Sequence, residues 1–488
     1  MDHRESKILF PKKNSSQLLT VNSGMKNIFV ISDLHLASGL NNSNNYEGTE
    51  NFFADQSFVR FIDELEKRSV DTKALLVING DFIDFLRICE YPQTDQDFAN
   101  WEEMLNRVQI SKSQTELRAS IVKKEKIFGL KTNDFKSVWK LDVCIKGHLL
   151  LFQRLALWLH HGNDLIITKG NHDLEWYWEA VQNYLLLTLS EISAVRWNLP
   201  FEAVFSTTSQ QIVFADNSVL IDHKIYIEHG HRYENTTTVY GDALTQNQQE
   251  LNLPFGSFFN RYLINKIELV YPFIDNVRPR QDILLILFRE RFLLALKMVF
   301  CYVPFVLLLI PKKLWWAVFK YTITFLLIVV TPIAITGYGI YKSWPHTTNL
   351  NLKNVSWLVS QVISAGKNLG FLFLSYLFGR IMVLVKLSGP VSFKKFADDI
   401  FNQNQELSVV TFGHTHNPEQ KNNNGHWYLN SGTWMPIFEA SSTDIRIDKT
   451  YTFLHFYYDS QQKLVIQPLQ RWNDDACRYD KLTLIETA

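Results

Sequence analysis

The stretch that decides the fold is NIFVISDLH, residues 27–35, in which an apolar run leads directly into Ser32, Asp33 and His35. A short continuous apolar run of this kind predicts a strand buried on both faces, as in an α/β sheet. Residues just past such strands stand where open α/β sheets place their ligands. Four later stretches repeat the pattern: ALLVINGD at 74–81, LIITKGNHD at 165–173, IYIEHGH at 225–231 and LSVVTFGHTH at 407–416.

Between these runs lie helical patterns, notably residues 58–68 and 143–160. The second pattern stops at Gly162 and Asn163, which suits a helix end. The C-terminal region differs, because residues 427–429, 451–458 and 463–469 are typical of antiparallel strands joined by turns. The sequence therefore predicts an α/β fold with an antiparallel C-terminal part.

The 488 residues argue against a single compact domain. We expect an N-terminal arm at 1–26 and a core whose first part, 27–235, contains a helical insertion at 87–140. A larger apolar helical insertion follows at 236–400, and 401–488 completes the core.

Composition excludes some classes of protein. Lys plus Arg and Asp plus Glu number 49 each, so no net positive charge attracts nucleic acid, although a local basic groove stays possible. The four cysteines are scattered without CxxC spacing, which argues against a disulfide framework or a zinc site. The polar residues 1–26 contain no continuous apolar segment typical of a signal peptide.

The polar residues after the five apolar runs form one ligand set. Carboxylate, amide oxygen and imidazole are the groups that bind Mn, Fe and Zn. Each piece alone has a structural explanation, a turn or a satisfied histidine, but five in order after strand-like runs indicate a metal site. The candidate ligands are Asp33, His35, Asp81, Asn171, His229, His414 and His416.

In these motifs the chain resembles the calcineurin-like metallophosphoesterase superfamily, whose pattern is Asp-x-His, Gly-Asp-x-x-Asp, Gly-Asn-His-Asp/Glu, a His-Gly strand end and Gly-His-x-His. The matching segments are 33–35, 80–84, 170–173, 229–231 and 413–416. The resemblance covers about residues 27–235 and 405–470. Within the superfamily, the chain is most similar to bacterial hydrolases of the UDP-2,3-diacylglucosamine pyrophosphatase type.

The resemblance implies a four-layer α/β/β/α sandwich, here with a large helical, apolar insertion, and two divalent ions, manganese first and iron or zinc as alternatives. Hydroxide generated by the ions would attack phosphorus. His172 would stabilise or protonate the leaving oxygen, with Asp173 as its orienting partner. One ion would be held by Asp33, His35, Asp81 and His416, and the other by Asp81, Asn171, His229 and His414.

Two positions depart from the pyrophosphatase branch. His172 stands where that branch carries Arg, and His231 stands where it carries Asp. These differences put a lipid-A-precursor substrate in doubt. His231 is either a substrate contact or a structural histidine.

The apolar insertion suggests membrane contact. Residues 321–341 carry no charge over 21 residues, enough to cross a bilayer. Because Asp33 and His416 must meet at one metal, the number of crossings between them is even, and 293–310 with 321–341 is the natural hairpin. The basic segment 311–316 equally suits helices lying in the membrane interface as a lid, and a buried helical cap is the third alternative.

The function expected from these features is a metal-dependent hydrolase of a phosphoester or pyrophosphate bond. Its partner would be a lipid-linked or nucleotide-type phosphoester substrate at the cytoplasmic side of a membrane, with a soluble cytoplasmic protein as the alternative. Two other functions stay open: a non-catalytic membrane-associated scaffold and a nuclease of the same superfamily. The neutral charge argues against a dedicated nucleic-acid partner.

Overall fold

The computed structural model describes residues 18–24, 26–41, 43–46, 49–69, 72–269, 276–278, 286–287, 289–297, 392–439 and 448–482. The chain divides into two units, residues 1–303 with 392–488 and residues 304–391. Every described residue belongs to the first unit.

The described strands are β1 Leu18–Val21, β2 Asn27–Ile31, β3 Ala74–Asn79, β4 Asp164–Thr168, β5 Ile212–Ala215, β6 Ser218–Ile221, β7 Ile225–Glu228, β8 Val277–Arg278, β9 Val409–Phe412, β10 Glu419–Asn423, β11 His426–Asn430, β12 Phe438–Glu439, β13 Thr452–Tyr458, β14 Leu464–Ile466, β15 Gln470–Asn473 and β16 Arg478–Lys481. The described α-helices are α1 Asp55–Arg68, α2 Asp95–Arg107, α3 Gln114–Ser120, α4 Glu125–Phe128, α5 Asp134–Gly147, α6 Leu149–His160, α7 Glu179–Trp197, α8 Phe201–Gln211, α9 Phe255–Phe259, α10 Asn265–Glu268, α11 Phe292–Lys297 and α12 Lys394–Gln403. A π-helical turn, Asn260–Ile264, joins α9 to α10, and 3₁₀ turns lie at Leu174–Tyr177 and His231–Tyr233.

Within the described part of the chain, the strands form two mixed sheets and a small parallel pair of β8 with β12. The first sheet has the order β1-β6-β7-β9-β11-β10. The second has the order β16-β15-β13-β2-β3-β4-β5, and β14 also pairs with β13. The fold is therefore mixed α/β, as the sequence predicts.

Alternating residues of β2, β3 and β4 face two different hydrophobic clusters, as the two-residue period of a strand requires. Phe29, Leu76 and Ile167 join the cluster formed with helices α1, α5, α6 and α7. Ile28 and Val77 join the cluster that also contains apolar residues of β6, β7, β9 and β11. The second sheet thus shares one core with helices and another with the first sheet.

The first sheet also contributes to a third cluster. In that cluster Val410 and Phe412 of β9 pack with Phe393, Ala397 and Phe401 at and within α12. These side chains are buried, so α12 covers one face of the first sheet. It packs beside β9, the strand that leads into residues 413–416.

Each of the five predicted strand runs corresponds to a strand, β2, β3, β4, β7 and β9, although β9 begins at Val409, two residues after the predicted start at Leu407. The three C-terminal runs are confirmed as strands too, although β14 ends at Ile466 and is shorter than predicted. Helix α1 includes the predicted helical residues 58–68 and begins three residues earlier. Residues 87–140 contain α2, α3 and α4, and Trp101 and Leu117 of this region are buried in the same cluster as α1.

The prediction of one helix over 143–160 is wrong, because α5 ends at Gly147 and α6 begins at Leu149. His148 leaves the helical conformation at φ −114° and ψ 34°. Its ring is fully buried between the carboxylates of Asp55 and Glu50, with Nδ1 and Nε2 at 3.0 and 3.1 Å from them. A buried ion network from distant residues therefore places the break, and local helical spacing does not reveal it.

Among the described residues, no helix combines the length and apolar character needed to cross a membrane. The predicted hairpin of 293–310 and 321–341 lies outside the described residues, apart from residues 293–297 of the short helix α11.

Candidate metal centre

The sheets bring the candidate ligands to two neighbouring edges. Strands β2, β3 and β4 are parallel neighbours, and so are β7 and β9, so the carboxyl ends within each set lie side by side. The ligands follow these ends directly: Asp33 and His35 after β2, Asp81 after β3, Asn171 after β4, His229 after β7, and His414 and His416 after β9.

Five of these seven residues have a left-handed backbone, which is uncommon outside glycine. The φ angles are 55° at Asp33, 54° at His35, 50° at Asp81, 67° at His414 and 55° at His416. Such strain persists only where surrounding contacts enforce it, and it concentrates at functional sites. Here the backbone N–H groups of Asp33 and His35 donate to the carbonyls of Gly80 and Asp81, at 3.2 and 2.9 Å.

Two glycines permit the close approach of these loops. Gly80 has φ +74°, and a Cβ there would lie 2.5 Å from the ring of His229. A Cβ at Gly413 would lie 2.6 Å from Ser32 Oγ and 2.8 Å from Asp33 Oδ2. Any larger residue at either position would separate ligand loops that must touch.

Asp33, His35 and His416 form the first cluster, with one ligand atom from each within 4.8 Å of the others. His416 Nε2 lies 3.2 Å from Asp33 Oδ1, and it lies 3.2 Å from His35 Nε2 as well. His35 Nδ1 donates to Asp84 Oδ2 at 3.1 Å, which leaves Nε2 as its ligand atom. All three side chains are buried.

Asp81, His229 and His414 form the second cluster, by the same 4.8 Å measure. His229 Nδ1 donates to the carbonyl of Asn79 at 2.8 Å, so its Nε2 faces Asp81 Oδ2 at 3.2 Å. Asn171 stands between Gly170 and His172 in the loop that packs on Asp81, and the N–H of His172 donates to Asp81 Oδ1 at 2.8 Å.

Asp81 connects the two clusters. Its Oδ2 lies 3.2 Å from His229 Nε2 of the second cluster and 3.6 Å from His35 Nε2 of the first. The side chains of all three residues are at most 4% exposed. One carboxylate oxygen is thus within reach of ligands from both clusters.

Three buried atoms of the candidate ligands make no hydrogen bond of good geometry among the described residues: Asp33 Oδ1, Asn171 Oδ1 and His229 Nε2. Two of them have a polar neighbour at 3.2 Å, His416 Nε2 beside Asp33 Oδ1 and Asp81 Oδ2 beside His229 Nε2. Leaving a buried polar atom unsatisfied costs about 1–3 kcal/mol, and more for a charged group. Cations bound at the two clusters would remove that cost, and carboxylate, amide and imidazole donors suit divalent ions. The residues therefore fit a metal site.

The carboxylates and histidines shift each other's pKa. Burial lowers the pKa of His35, but the carboxylates of Asp33 and Asp84 outweigh it and raise that pKa to about 10. Burial likewise lowers the pKa of His229, and the charges of Asp81 and Asp33 raise it to about 9. For Asp81, the neighbouring His229 and His172 overcome the upward effect of burial and hold its pKa well below the usual range. Without a cation, histidine protons neutralise the carboxylates, so the binding of a metal ion here would release protons.

The predicted acid, His172, lies beside the first cluster. Its Nδ1 donates to Asp84 Oδ2 at 2.7 Å, its side chain is 12% exposed, and its ring packs edge-on against that of His35. The expected partner, Asp173, does not fill this role. Its carboxylate accepts the backbone N–H groups of Gly170 and Phe82 instead, because the chain turns back towards β3 there.

Asp173 stabilises the loop. Besides the two backbone groups, its Oδ2 accepts the indole N–H of Trp176 at 3.0 Å. Burial, followed by the charge of Asp81, raises the pKa of Asp173 to about 7. Its function in the structure is to hold residues 170–173 against Asp81.

His231 is buried at the start of the 3₁₀ turn after β7, with its ring 5.5 Å from that of His229. Its Nδ1 has no hydrogen-bond partner among the described residues. Burial and the neighbouring His229 hold its pKa well below the usual range, so the ring is neutral.

Asp84 and Glu234 touch predicted site residues, but neither is among the candidate residues of the sequence. Asp84 contacts both His35 and His172, and its place in the Gly-Asp-x-x-Asp motif was the available signal. Glu234 contacts His414 at 2.9 Å, and nothing in the local sequence marks it, because the two residues are 180 positions apart.

No known family model matches this chain, and no curated protein matches it in sequence.

Proposed function

We propose that this chain is a dinuclear-metal phosphoesterase of the calcineurin-like type, which hydrolyses a phosphoester or pyrophosphate bond. The observation that carries the proposal is the position of Asp81 between two clusters of ligands. One carboxylate shared by two ligand sets is the arrangement that a pair of ions about 3.5–4 Å apart requires. Manganese is the proposed metal, with iron or zinc as alternatives.

The packing supports the corresponding fold proposal, a four-layer α/β/β/α sandwich. Helices share a cluster with the second sheet, the two sheets share a cluster with each other, and α12 packs on the first sheet. Candidate ligand loops of the two sheets touch, since the His414 N–H donates to Asp33 Oδ2 at 3.0 Å.

The residues have distinct roles in the proposed reaction. When bound, two divalent ions supply Lewis-acid activation of the phosphoryl group and of the attacking water. Asp33, His35 and His416 would hold one ion, Asn171, His229 and His414 the other, and Asp81 both. His172 is partly exposed and bonded to Asp84 through Nδ1, which leaves Nε2 to deliver a proton to the leaving oxygen.

The substrate class is a separate proposal. The uncharged residues 321–341 stand in sequence between two ligand segments, and we propose a lipid-linked or nucleotide-type phosphoester at the cytoplasmic side of a membrane. Membrane fractionation of the full chain and of a chain lacking 290–345 tests this. We expect detergent-dependent release of the full chain only, and release of both without detergent would contradict the membrane proposal.

The direct test of the activity is hydrolysis by the purified full chain with MnCl₂. The substrates are p-nitrophenyl phosphate, bis(p-nitrophenyl) phosphate and a nucleotide-sugar diphosphate. We expect manganese-dependent release from at least one and loss of it in Asp81→Ala, while Asp480→Ala at the surface retains the activity. Normal metal binding without hydrolysis of any substrate would contradict the proposal.

A further inference from the structure

Glu234 is not one of the predicted metal ligands, but it contacts one of them, His414. It directly follows the 3₁₀ turn His231–Tyr233, and its Oε2 accepts a hydrogen bond from His414 Nε2 at 2.9 Å. Thr237 Oγ1 lies 3.3 Å from the same nitrogen. The other carboxylate oxygen accepts the hydroxyl of Thr236 at 2.8 Å, so the carboxylate is held on both sides.

This contact distinguishes His414 from His35 and His229, two of the other candidate ligands. In His35 and His229 the nitrogen anchored to the protein is Nδ1, so Nε2 points to the neighbouring ligands. In His414 the anchored nitrogen is Nε2. A ring nitrogen that donates its proton to a carboxylate leaves the other nitrogen with the lone pair that a cation needs.

The geometry of the second cluster agrees with this assignment. One ring nitrogen of His414 lies within 4.8 Å of ligand atoms of Asp81 and His229. The His414 backbone N–H donates to Asp33 Oδ2 at 3.0 Å, and the Phe393 ring lies parallel to the imidazole at 6.1 Å. The backbone and one ring face are thus fixed, and Glu234 fixes the remaining rotation.

We propose that Glu234 is the positioning residue of the second metal site, which holds His414 so that it binds the ion through Nδ1. The inference rests on the proposed two-metal function. A carboxylate on the far nitrogen fixes the tautomer and increases the basicity of the ligand, and removing such a partner typically weakens metal binding about 10–100-fold. Glu234 would act on the second ion and leave the first cluster unchanged.

Calorimetric titration of the metal-free full chain with MnCl₂ tests the effect on affinity. We expect two equivalents in the wild type, and about 10–100-fold weaker binding of one of them in Glu234→Leu. Glu234→Gln retains an acceptor oxygen and should fall between the two. Glu250→Gln is the matched control, because Glu250 is 24% exposed against 21% for Glu234 and pairs only with surface Lys131 in the described contacts.

The tautomer of His414 distinguishes a positioning role of Glu234 from a purely structural one. In Zn²⁺-loaded protein with ¹⁵N-labelled histidine, the His414 signals, identified by their loss in His414→Gln, should show a protonated Nε2 and a metal-bound Nδ1. Metal on Nε2 would overturn the proposal. Near-UV circular dichroism confirms that each variant is folded.

The calorimetric outcomes separate the two claims. Suppose that the wild type binds two ions. If Glu234→Leu then binds both with wild-type affinity, or loses affinity for both equally, only the positioning role is overturned. Wild-type protein that takes up fewer than two ions contradicts the proposed function itself.

Discussion

At the scale of single residues, the candidate site combines strain with unsatisfied polarity. Asp33, His35 and Asp81 have left-handed backbones, and Asp33 Oδ1 and Asn171 Oδ1 are buried without hydrogen-bond partners in the described part of the chain. Each feature costs free energy in the folded protein. A bound cation would offset part of this cost, so we expect metal to stabilise the folded protein.

In the proposed reaction, replacement of His172 should lower kcat more than it lowers the affinity for metal. His172 lies outside the two clusters joined by Asp81, although it forms a third group with His35 and Asp84 that could also hold an ion. Its Nδ1 is bonded to Asp84. We expect His172→Gln to lower kcat by about 10²–10⁴-fold, the usual contribution of a positioned acid. Steady-state kinetics beside a manganese titration measure both quantities. Loss of a metal equivalent in this variant would show that His172 is a ligand and not the acid.

Some residues of the candidate site could be predicted from the sequence, and others could not. The proximity of the candidate ligands could be predicted because each follows an apolar strand, and the ends of neighbouring strands lie together. Glu234 and the Asp84–His172 contact could not, because their partners come from segments 180 and 88 positions away. Asp173 was misjudged for the opposite reason: it is adjacent to His172, but its side chain turns back to the backbone of Phe82.

At the scale of elements, the junction of α5 and α6 depends on a buried imidazolium. Burial lowers the pKa of His148, but Glu50 and Asp55 raise it to about 10 from an ordinary 6.5. A group whose pKa rises on folding stabilises the folded state fully below its unfolded pKa, and this contribution disappears as pH rises through the folded value.

We therefore expect His148→Gln to destabilise the protein most below about pH 6.5, with the difference from wild type shrinking towards pH 10. Urea denaturation at several pH values measures it under constant metal saturation. His161→Gln, at an exposed helix end, is the control and should keep the wild-type pH dependence. A difference that grew with pH would contradict the ion network.

A second element, α10, is tied to the site through a buried ion pair. Arg87 is 1% exposed and contacts Glu268 of α10, and its Nε donates to Asp84 Oδ2 at 3.1 Å. Breaking a buried pair by removing one partner costs about 3–5 kcal/mol, because the other charge stays buried. Arg87 thus connects α10 to Asp84, whose carboxylate also accepts a hydrogen bond from His172.

We expect Glu268→Leu to lower the free energy of unfolding by less than the full cost of about 3–5 kcal/mol, because Arg87 keeps its contact with Asp84, and Arg87→Met with Glu268→Leu to recover part of the loss. Denaturant titration of both variants and the wild type measures this. A single variant as stable as the wild type would show that the pair does not hold α10 to the site.

At the scale of the whole molecule, the mixed α/β fold could be predicted because buried strands have a clear apolar signature. The break at His148 could not, since it depends on Glu50 and Asp55, more than 90 positions away. The domain division at 87–140 and 236–400 stays a prediction, as does the membrane hairpin, whose greater part lies outside the described residues.

The proposed two-metal site depends on the Asp81 carboxylate serving both ions. Electron paramagnetic resonance of the manganese-loaded full chain tests this most directly. We expect two Mn²⁺ per wild-type chain with the spectrum of a spin-coupled pair, as ions about 3.5–4 Å apart require. Asp81→Ala should lose the coupling and give the spectrum of isolated ions. Isolated ions in the wild type, or unchanged coupling in Asp81→Ala, would contradict the proposal that Asp81 serves two ions.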